Sequence, residues 1–179
     1  AFSPIKGVLV KVFGFLFWVS MIRTLYTLLF YLLTPFVVLR LLWRSLKAPE
    51  YRRRWGERFG DVPAIADDKH VIWVHAVSVG ETLAAVPMVK RLQSRYPDSQ
   101  LLVTTMTPTG SARVTSVFGD SVYHVYAPYD LPCVLNRFLS SVHPDILVIM
   151  ETELWPNLIH YCDLRGIPIV VANARLSER

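Results

Sequence analysis

Hydrophobic positions change their spacing along this chain, and each change predicts an element. From Val12 to Ile22, and again from Thr24 to Leu39, they run nearly unbroken, with only Arg23 between. The second run, TLYTLLFYLLTPFVVL, has 16 residues. At 1.5 Å per residue that is about 24 Å of helix, just short of a membrane crossing. Two readings stand: a span in which Arg23 snorkels, or a tilted or interfacial helix. Trp18, Tyr26, Tyr31 and Trp43 suit an interfacial belt, and Pro35 predicts a kink.

After a polar, proline-containing stretch from Asp61 to Lys69, read as a linker, the spacing shortens. Near-continuous apolar runs at 70–78, 99–107, 121–128, 145–150 and 168–174 read as strands of a parallel sheet covered on both faces. Helical spacing fills the gaps. In 130–143, Leu131, Val134, Leu135, Phe138, Leu139 and Val142 share one face, with Asp130 as the expected N-cap and Pro144 as the stop. A second helix runs from about Leu154 to Arg165, ended by Gly166 and Pro168. A third follows Glu81, with Pro87 predicting a kink in it. Strands and helices alternating at this distance predict an α/β class, a Rossmann-like parallel sheet behind an N-terminal membrane-anchoring helix.

The division expected is 1–20 as an upstream extension, 21–44 as the anchor helix, 45–69 as a basic juxtamembrane segment and linker, and 70–179 as the α/β domain. The chain opens with Ala1 while Met21 stands directly before the second apolar run, which suggests the extension. A cleaved signal peptide fits poorly, because no small-x-small site follows the first run.

Composition sharpens this picture in one direction. The 179 residues are 53% hydrophobic and 18% charged, with 19 Lys and Arg against 14 Asp and Glu. The excess of apolar and basic residues gathers near the N-terminus: Arg40, Arg44 and Lys47 precede YRRRWGERFG at 51–60. A basic run after an apolar helix is the positive-inside pattern, which puts the following domain in the cytoplasm. Arg52, Arg53 and Arg54 either fix that topology or meet anionic headgroups. Nucleic acid is not indicated, because the basic residues hug the apolar segment. Cys133 and Cys162 read as free thiols, and the scattered histidines offer no metal-ligand spacing.

Candidate chemistry sits where strands end, since parallel α/β sheets bind ligands beyond their carboxyl ends. In HAVSVGE, Ser78 and Gly80 precede Glu81 at a strand-to-helix turn. Gly80 lets a ligand approach backbone, and Glu81 is either a first-turn cap or a base for an incoming hydroxyl. In TTMTPTGSARV, Thr107, Thr109, Gly110, Ser111 and Arg113 offer hydroxyls, an amide and a guanidinium. That set makes either an anion site or ordinary capping with Pro108 near the helix start. In METELWPN, Glu151 and Glu153 end an apolar strand, where a buried charge needs a reason, and they are not expected to act as a pair. His75 and Asn173 are weaker candidates. GxGxxG, a Walker A ending and GxSxG are all missing, which argues against dinucleotide, P-loop and serine-hydrolase chemistry.

Taken in order, MIRTLYTLLFYLLTPFVVLRLLWR, APEYRRRWGERFG, HAVSVGETLAA, VTTMTPTGSARV, YAPYDLP, METELWPNLI and ANARLSER resemble the lipid A Kdo transferases from Met21 to Arg179. The resemblance implies the N-terminal, acceptor-binding domain of a two-domain GT-B glycosyltransferase on the cytoplasmic face of the inner membrane. It implies transfer of 3-deoxy-D-manno-octulosonic acid (Kdo) from CMP-Kdo to the lipid A precursor, lipid IVA, in lipopolysaccharide synthesis. No cofactor or metal is implied. Glu81 matches the proton acceptor and Glu151 the transition-state stabiliser. In such enzymes a C-terminal domain supplies most of the donor site, so residues 1–179 by themselves are expected not to transfer Kdo. The alternative is a non-catalytic, membrane-anchored α/β adaptor.

Overall fold

Five apolar runs become five short strands: β1 (Val71–His75), β2 (Gln100–Thr105), β3 (Tyr123–Tyr126), β4 (Ile146–Met150) and β5 (Ile169–Ala172). All pair in parallel, in the order β3-β2-β1-β4-β5. The structure is a computed structural model. It describes residues 4–66 and 68–174, with side chains from Ser20 onward, Arg52 excepted. Arg52's side chain and the last five residues of ANARLSER therefore lie outside the described residues.

Six helices accompany the sheet: α1 (Pro4–Lys47), α2 (Trp55–Arg58), α3 (Val79–Arg95), α4 (Pro108–Phe118), α5 (Pro132–Val142) and α6 (Pro156–Leu164). Alternate strand residues feed two cores, as period-two geometry requires. Val74, Val103 and Val148 meet Ala85 and Val89 of α3 and Val114 of α4. Trp73, Leu102, Leu147 and Ile149 meet Leu135 and Phe138 of α5 and Leu158 of α6. The expected Rossmann-like parallel sheet is present.

The strands are shorter than their apolar runs because the runs include caps. Thr107, expected as the end of a strand, is the N-cap of α4, its hydroxyl accepting from the Gly110 amide at 3.1 Å. α3 continues through Pro87.

The stretch expected as a linker is fastened to the domain instead. Val62 is buried in the core under α5. The Ile65 amide donates to Ser141 O, and the Tyr123 hydroxyl donates to Pro63 O. At Gly60, φ is +78°, and a Cβ would stand 2.4 Å from the carbonyl oxygen of Val134 in α5. Only glycine allows that approach.

Asp130 does not cap α5, as the sequence suggested. Pro132 occupies the first helical position, which makes Leu131 the N-cap, without a side-chain bond. Asp130 instead reaches across to α6, whose own N-cap, Trp155, supplies no cap bond. Its carboxylate accepts from the amides of Asn157 (3.1 Å) and Leu158 (2.7 Å), and from the Tyr26 hydroxyl of α1. Burial raises the Asp130 carboxyl above the usual range, while the amides and Tyr26 oppose that rise. Asn157 completes a clamp on α1: its Oδ1 accepts from Thr27 (3.0 Å) and Arg23 (3.4 Å), and its Nδ2 donates to Asp130 O at 2.8 Å.

Candidate active site at the switch point of the sheet

The order 3-2-1-4-5 reverses between β1 and β4. The chain leaves β1 toward one face of the sheet and β4 toward the other, opening a crevice at their carboxyl ends. Glu81 follows β1 and Glu151 follows β4, and these strands are hydrogen-bonded neighbours with His75 opposite Ile149. Both acidic candidates therefore flank the switch point.

Glu81 sits at the third position of α3 in a complete capping box. Ser78 Oγ accepts from the Glu81 amide at 3.2 Å, while Glu81 Oε1 accepts from the Ser78 amide at 3.1 Å. Oε2 accepts from the Val77 amide at 2.8 Å. The carboxylate is thus locked in place, at the positive end of the helix dipole, with one lone pair of each oxygen left over. The residue is 4% exposed, so a reacting hydroxyl must come in over the turn. Gly80 stands exposed there, and a Cβ on it would meet only Ser78 Oγ, at 3.7 Å. Its φ is not positive, so the fold has no need of glycine at this position. Gly80→Ala is expected to leave thermal stability unchanged or raise it by up to about 1 kcal/mol. Weakened ligand binding with that stability would mark Gly80 as clearance for a ligand.

Glu151 has left the strand: it lies in the following turn at φ +58°, unusual for a residue with a side chain. Its amide donates to Ala172 O, and its half-buried carboxylate makes no hydrogen bond or ion pair among the described residues. Glu153 differs, with Oε2 accepting the Trp155 indole N–H at 2.9 Å. The two carboxylates differ in surroundings, one unpaired among the described residues and the other tied to Trp155.

The third cluster is consumed internally. Thr107 caps α4, Thr109 donates to the Thr107 hydroxyl at 3.2 Å, and the Gly110 amide is held by that cap. Ser111 Oγ receives Arg54 Nη1 at 3.3 Å. Thr109 and Arg113 are exposed, and of the two only Arg113 makes no hydrogen bond among the described residues. Arg54 is held inward too: it donates to His124 O at 2.5 Å, pairs with Glu57 at 2.6 Å and lies 5.1 Å from the Tyr126 ring centroid. Arg53 alone of the two described arginines faces solvent freely. Asn173 is exposed at φ +59° just after β5.

Sequence reasoning missed Arg58, which is 2% exposed. It donates to Met106 O at 3.0 Å, hydrogen-bonds Tyr129 and stacks 4.1 Å from the Tyr126 ring centroid. No carboxylate pairs with it among the described residues, and its Nε has no partner there. Its place inside a run of exposed basic residues hid it.

His75 is also fully buried. Thr104 Oγ1 accepts the Trp73 indole N–H and contacts His75 Nδ1, each at 2.9 Å, and the Trp155 ring stands edge-on at 4.7 Å. Burial pushes the imidazole down to about 4. His124 is pushed to about 4 as well, by burial and by Arg54. Between pH 6.5 and about 4 the unfolded chain binds protons on these rings that the folded chain refuses. Stability is therefore fully present above pH 6.5 and is lost as pH falls through that window, by on the order of 3 kcal/mol for His75. Denaturant unfolding at pH 7 and pH 4.5 is expected to show the loss, and His75→Phe to flatten it.

A cleft of about 880 Å³ lies elsewhere, between α1 and α6, lined by Ile22, Arg23, Tyr26, Ile159 and Ile169 among others. It is separate from the Glu81 turn.

Comparison with known proteins decides what the crevice belongs to. Residues 53–179 match the profile of the 3-deoxy-D-manno-octulosonic-acid transferase (kdotransferase) family. The chain belongs to that family. A Kdo transferase of Haemophilus influenzae is 49% identical over 158 residues, covering 88% of this chain and 37% of the relative. A probable mitochondrial Kdo transferase of Arabidopsis thaliana is 38% identical, covering 87% of this chain and 35% of the relative. That of Bordetella pertussis is 35% identical, at 87% and 38%. The chain spans little more than a third of the length of these relatives. The matched span takes in Glu81, Glu151 and the whole sheet.

Proposed function

We propose that this chain is the acceptor-binding part of an inverting glycosyltransferase of GT-B architecture. It moves Kdo from CMP-Kdo to the lipid A precursor lipid IVA, on the cytoplasmic side of the inner membrane. The observation that carries this reading is the pair of carboxylates at the switch point. Glu81 is the proton acceptor: its geometry is set by two amides, and its free lone pairs take the proton of the acceptor hydroxyl as that oxygen attacks the anomeric carbon. Glu151, with no internal partner among the described residues, stabilises positive charge developing on the sugar as the C–O bond to CMP breaks. The phosphate of CMP leaves as an anion, which amides and basic groups neutralise.

Ser78, Gly80 and Arg53 form the acceptor side of the reading, with Gly80 as clearance and Arg53 toward lipid phosphates. Arg113 belongs with Arg53 as an exposed cation, and Arg52 joins them by its place in the basic run of the sequence. Thr107, Thr109, Gly110, Ser111, Arg54 and Glu153 support the site by holding the α4 and α6 turns and the basic segment. Because the relatives are far longer, residues 1–179 alone are proposed to bind acceptor without transferring Kdo.

The test is CMP release from CMP-Kdo in the presence of lipid IVA, with the complete protein and with residues 1–179. Turnover by the complete protein and none by 1–179 agrees with the proposal. Turnover by 1–179 overturns the division of labour, and no turnover by the complete protein with these substrates overturns the substrate assignment.

A further inference from the structure

α1 places its polar side chains on the opposite side from a helix of a water-soluble domain. The stripe facing the α/β body holds Arg23, Thr27, Thr34 and Ser45 among Phe30 and Val37, all half-buried or buried. The opposite stripe holds Leu25, Leu29, Leu32, Phe36, Leu39 and Trp43, each between 52 and 68% exposed. A row of large apolar side chains this long is not left against water.

The inner stripe is fixed by specific bonds. Phe30, Val37 and Leu41 pack on Tyr129, Leu131 and Val134, and the Asn157–Asp130 clamp holds Arg23, Tyr26 and Thr27. The Tyr31 hydroxyl meets Cys133 Sγ at 3.4 Å. From Arg23 to Leu41 the docked length is about 27 Å at 1.5 Å per residue, most of a hydrocarbon core of about 30 Å. A helix docked over that length cannot cross a bilayer without carrying the body, with Arg137 of α5, Asp163 of α6 and Arg165 just past it, into hydrocarbon.

Charge identifies what covers the outer stripe. Residues 1–49 contain Lys6, Lys11, Arg23, Arg40, Arg44 and Lys47 and no acidic residue. A second copy would set like charges together, whereas anionic headgroups complement them. We infer that residues 20–47 lie flat in the interface of an anionic bilayer, with the Leu25–Trp43 stripe in the acyl region and the α/β body above it in water. This rests on the membrane attachment in the proposed function and replaces spanning with in-plane insertion. The docked groups Met106, Tyr129 and Asn157 follow the carboxyl ends of β2, β3 and β4, so the switch-point crevice opens beside the lipid surface. An acceptor held in the bilayer by its acyl chains then meets the site without leaving the membrane.

The test uses the complete protein in a Cys133→Ser background, with buried Cys162 left in place, in phosphatidylcholine vesicles with and without phosphatidylglycerol. Spin labels at Leu25→Cys, Leu32→Cys and Leu39→Cys are compared by collision with oxygen and with a water-soluble nickel chelate. The expected result is one common depth for all three, about 5–10 Å below the headgroups, with Val37→Cys shielded from both relaxants. A depth that passes from one interface through the centre to the other overturns the flat helix and leaves membrane attachment standing. Free access of nickel to all three, as without vesicles, overturns both. Arg40→Gln, Arg44→Gln and Lys47→Gln are each expected to weaken binding to phosphatidylglycerol vesicles about fivefold, with little change on phosphatidylcholine alone. Equal loss on both compositions overturns the anionic component.

Discussion

Glu81→Gln in the complete enzyme is expected to lower kcat by roughly 10²–10⁴ while the protein remains folded. The size follows from the base role, and the structure says what else the change must do. Each carboxylate oxygen accepts one amide, from Ser78 and Val77. Glutamine keeps one oxygen and sets an NH₂ against the other amide, so one bond is lost and a buried donor is left facing a donor. That costs about 1–2 kcal/mol, a fall in Tm of several degrees. A loss of that size leaves most molecules folded and cannot explain a hundredfold loss of turnover. Measuring kcat and Tm together therefore separates the two roles of one side chain. If turnover follows Tm and nothing more, Glu81 is only a cap, and the membrane-anchored adaptor gains the ground that the transferase mechanism loses.

The two roles are not rivals. A capping box fixes a carboxylate to within a hydrogen bond of its working position before any substrate arrives, and proton transfer depends on such placement. Under the proposed base role, capping and catalysis are therefore compatible: the cap is what would hold the base.

How far the sequence could be read depended on how local each interaction was. The central strands were legible because both faces are buried, which leaves an apolar run with nothing polar to break it; β5 was legible as an apolar run although Val170 and Val171 are exposed. The places of Glu81 and Glu151 at carboxyl strand ends were legible, since alternation implies a parallel sheet; that β1 and β4 are neighbours was not. Nor were the separate surroundings of the two carboxylates. Asp130 was misassigned because its partner is α6, far along the chain, although Pro132 at the first turn of α5 already displaced it from the cap. Arg54 and Arg58 looked like surface charge within YRRRWGERFG. The burial of Arg58 and the tethering of exposed Arg54 come from Tyr126, His124 and Met106, which no spacing rule connects to them. The half-and-half character of α1 was hidden because its inner stripe also contains Phe30, Val37 and Leu41, so the helix looks apolar all round until its docking partner is known.

Gly60→Ala is expected to be the most destabilising single-methyl change in the domain, costing about 4 kcal/mol or more. Two terms add. A left-handed backbone, φ +78°, costs an alanine about 1–2 kcal/mol by itself. The new Cβ would also stand 2.4 Å from Val134 O and 3.2 Å from Phe138 N, both backbone atoms of α5. α5 cannot yield, because Val134, Leu135, Phe138 and Leu139 are buried under the sheet. The basic segment must move instead, taking with it Val62, the Glu57 carboxylate that accepts the Tyr126 amide at 2.7 Å, and Arg58 under Tyr129. Gly166, at φ +67° just after α6 with nothing near its Cβ position, is the control: alanine there meets the backbone term without a clash. Equilibrium unfolding in urea is expected to show Gly166→Ala losing about 1–2 kcal/mol and Gly60→Ala losing at least twice that. Equal losses would mean that residues 53–65 swing away from α5 at little cost, and that the basic segment is a tether rather than part of the domain that carries the site.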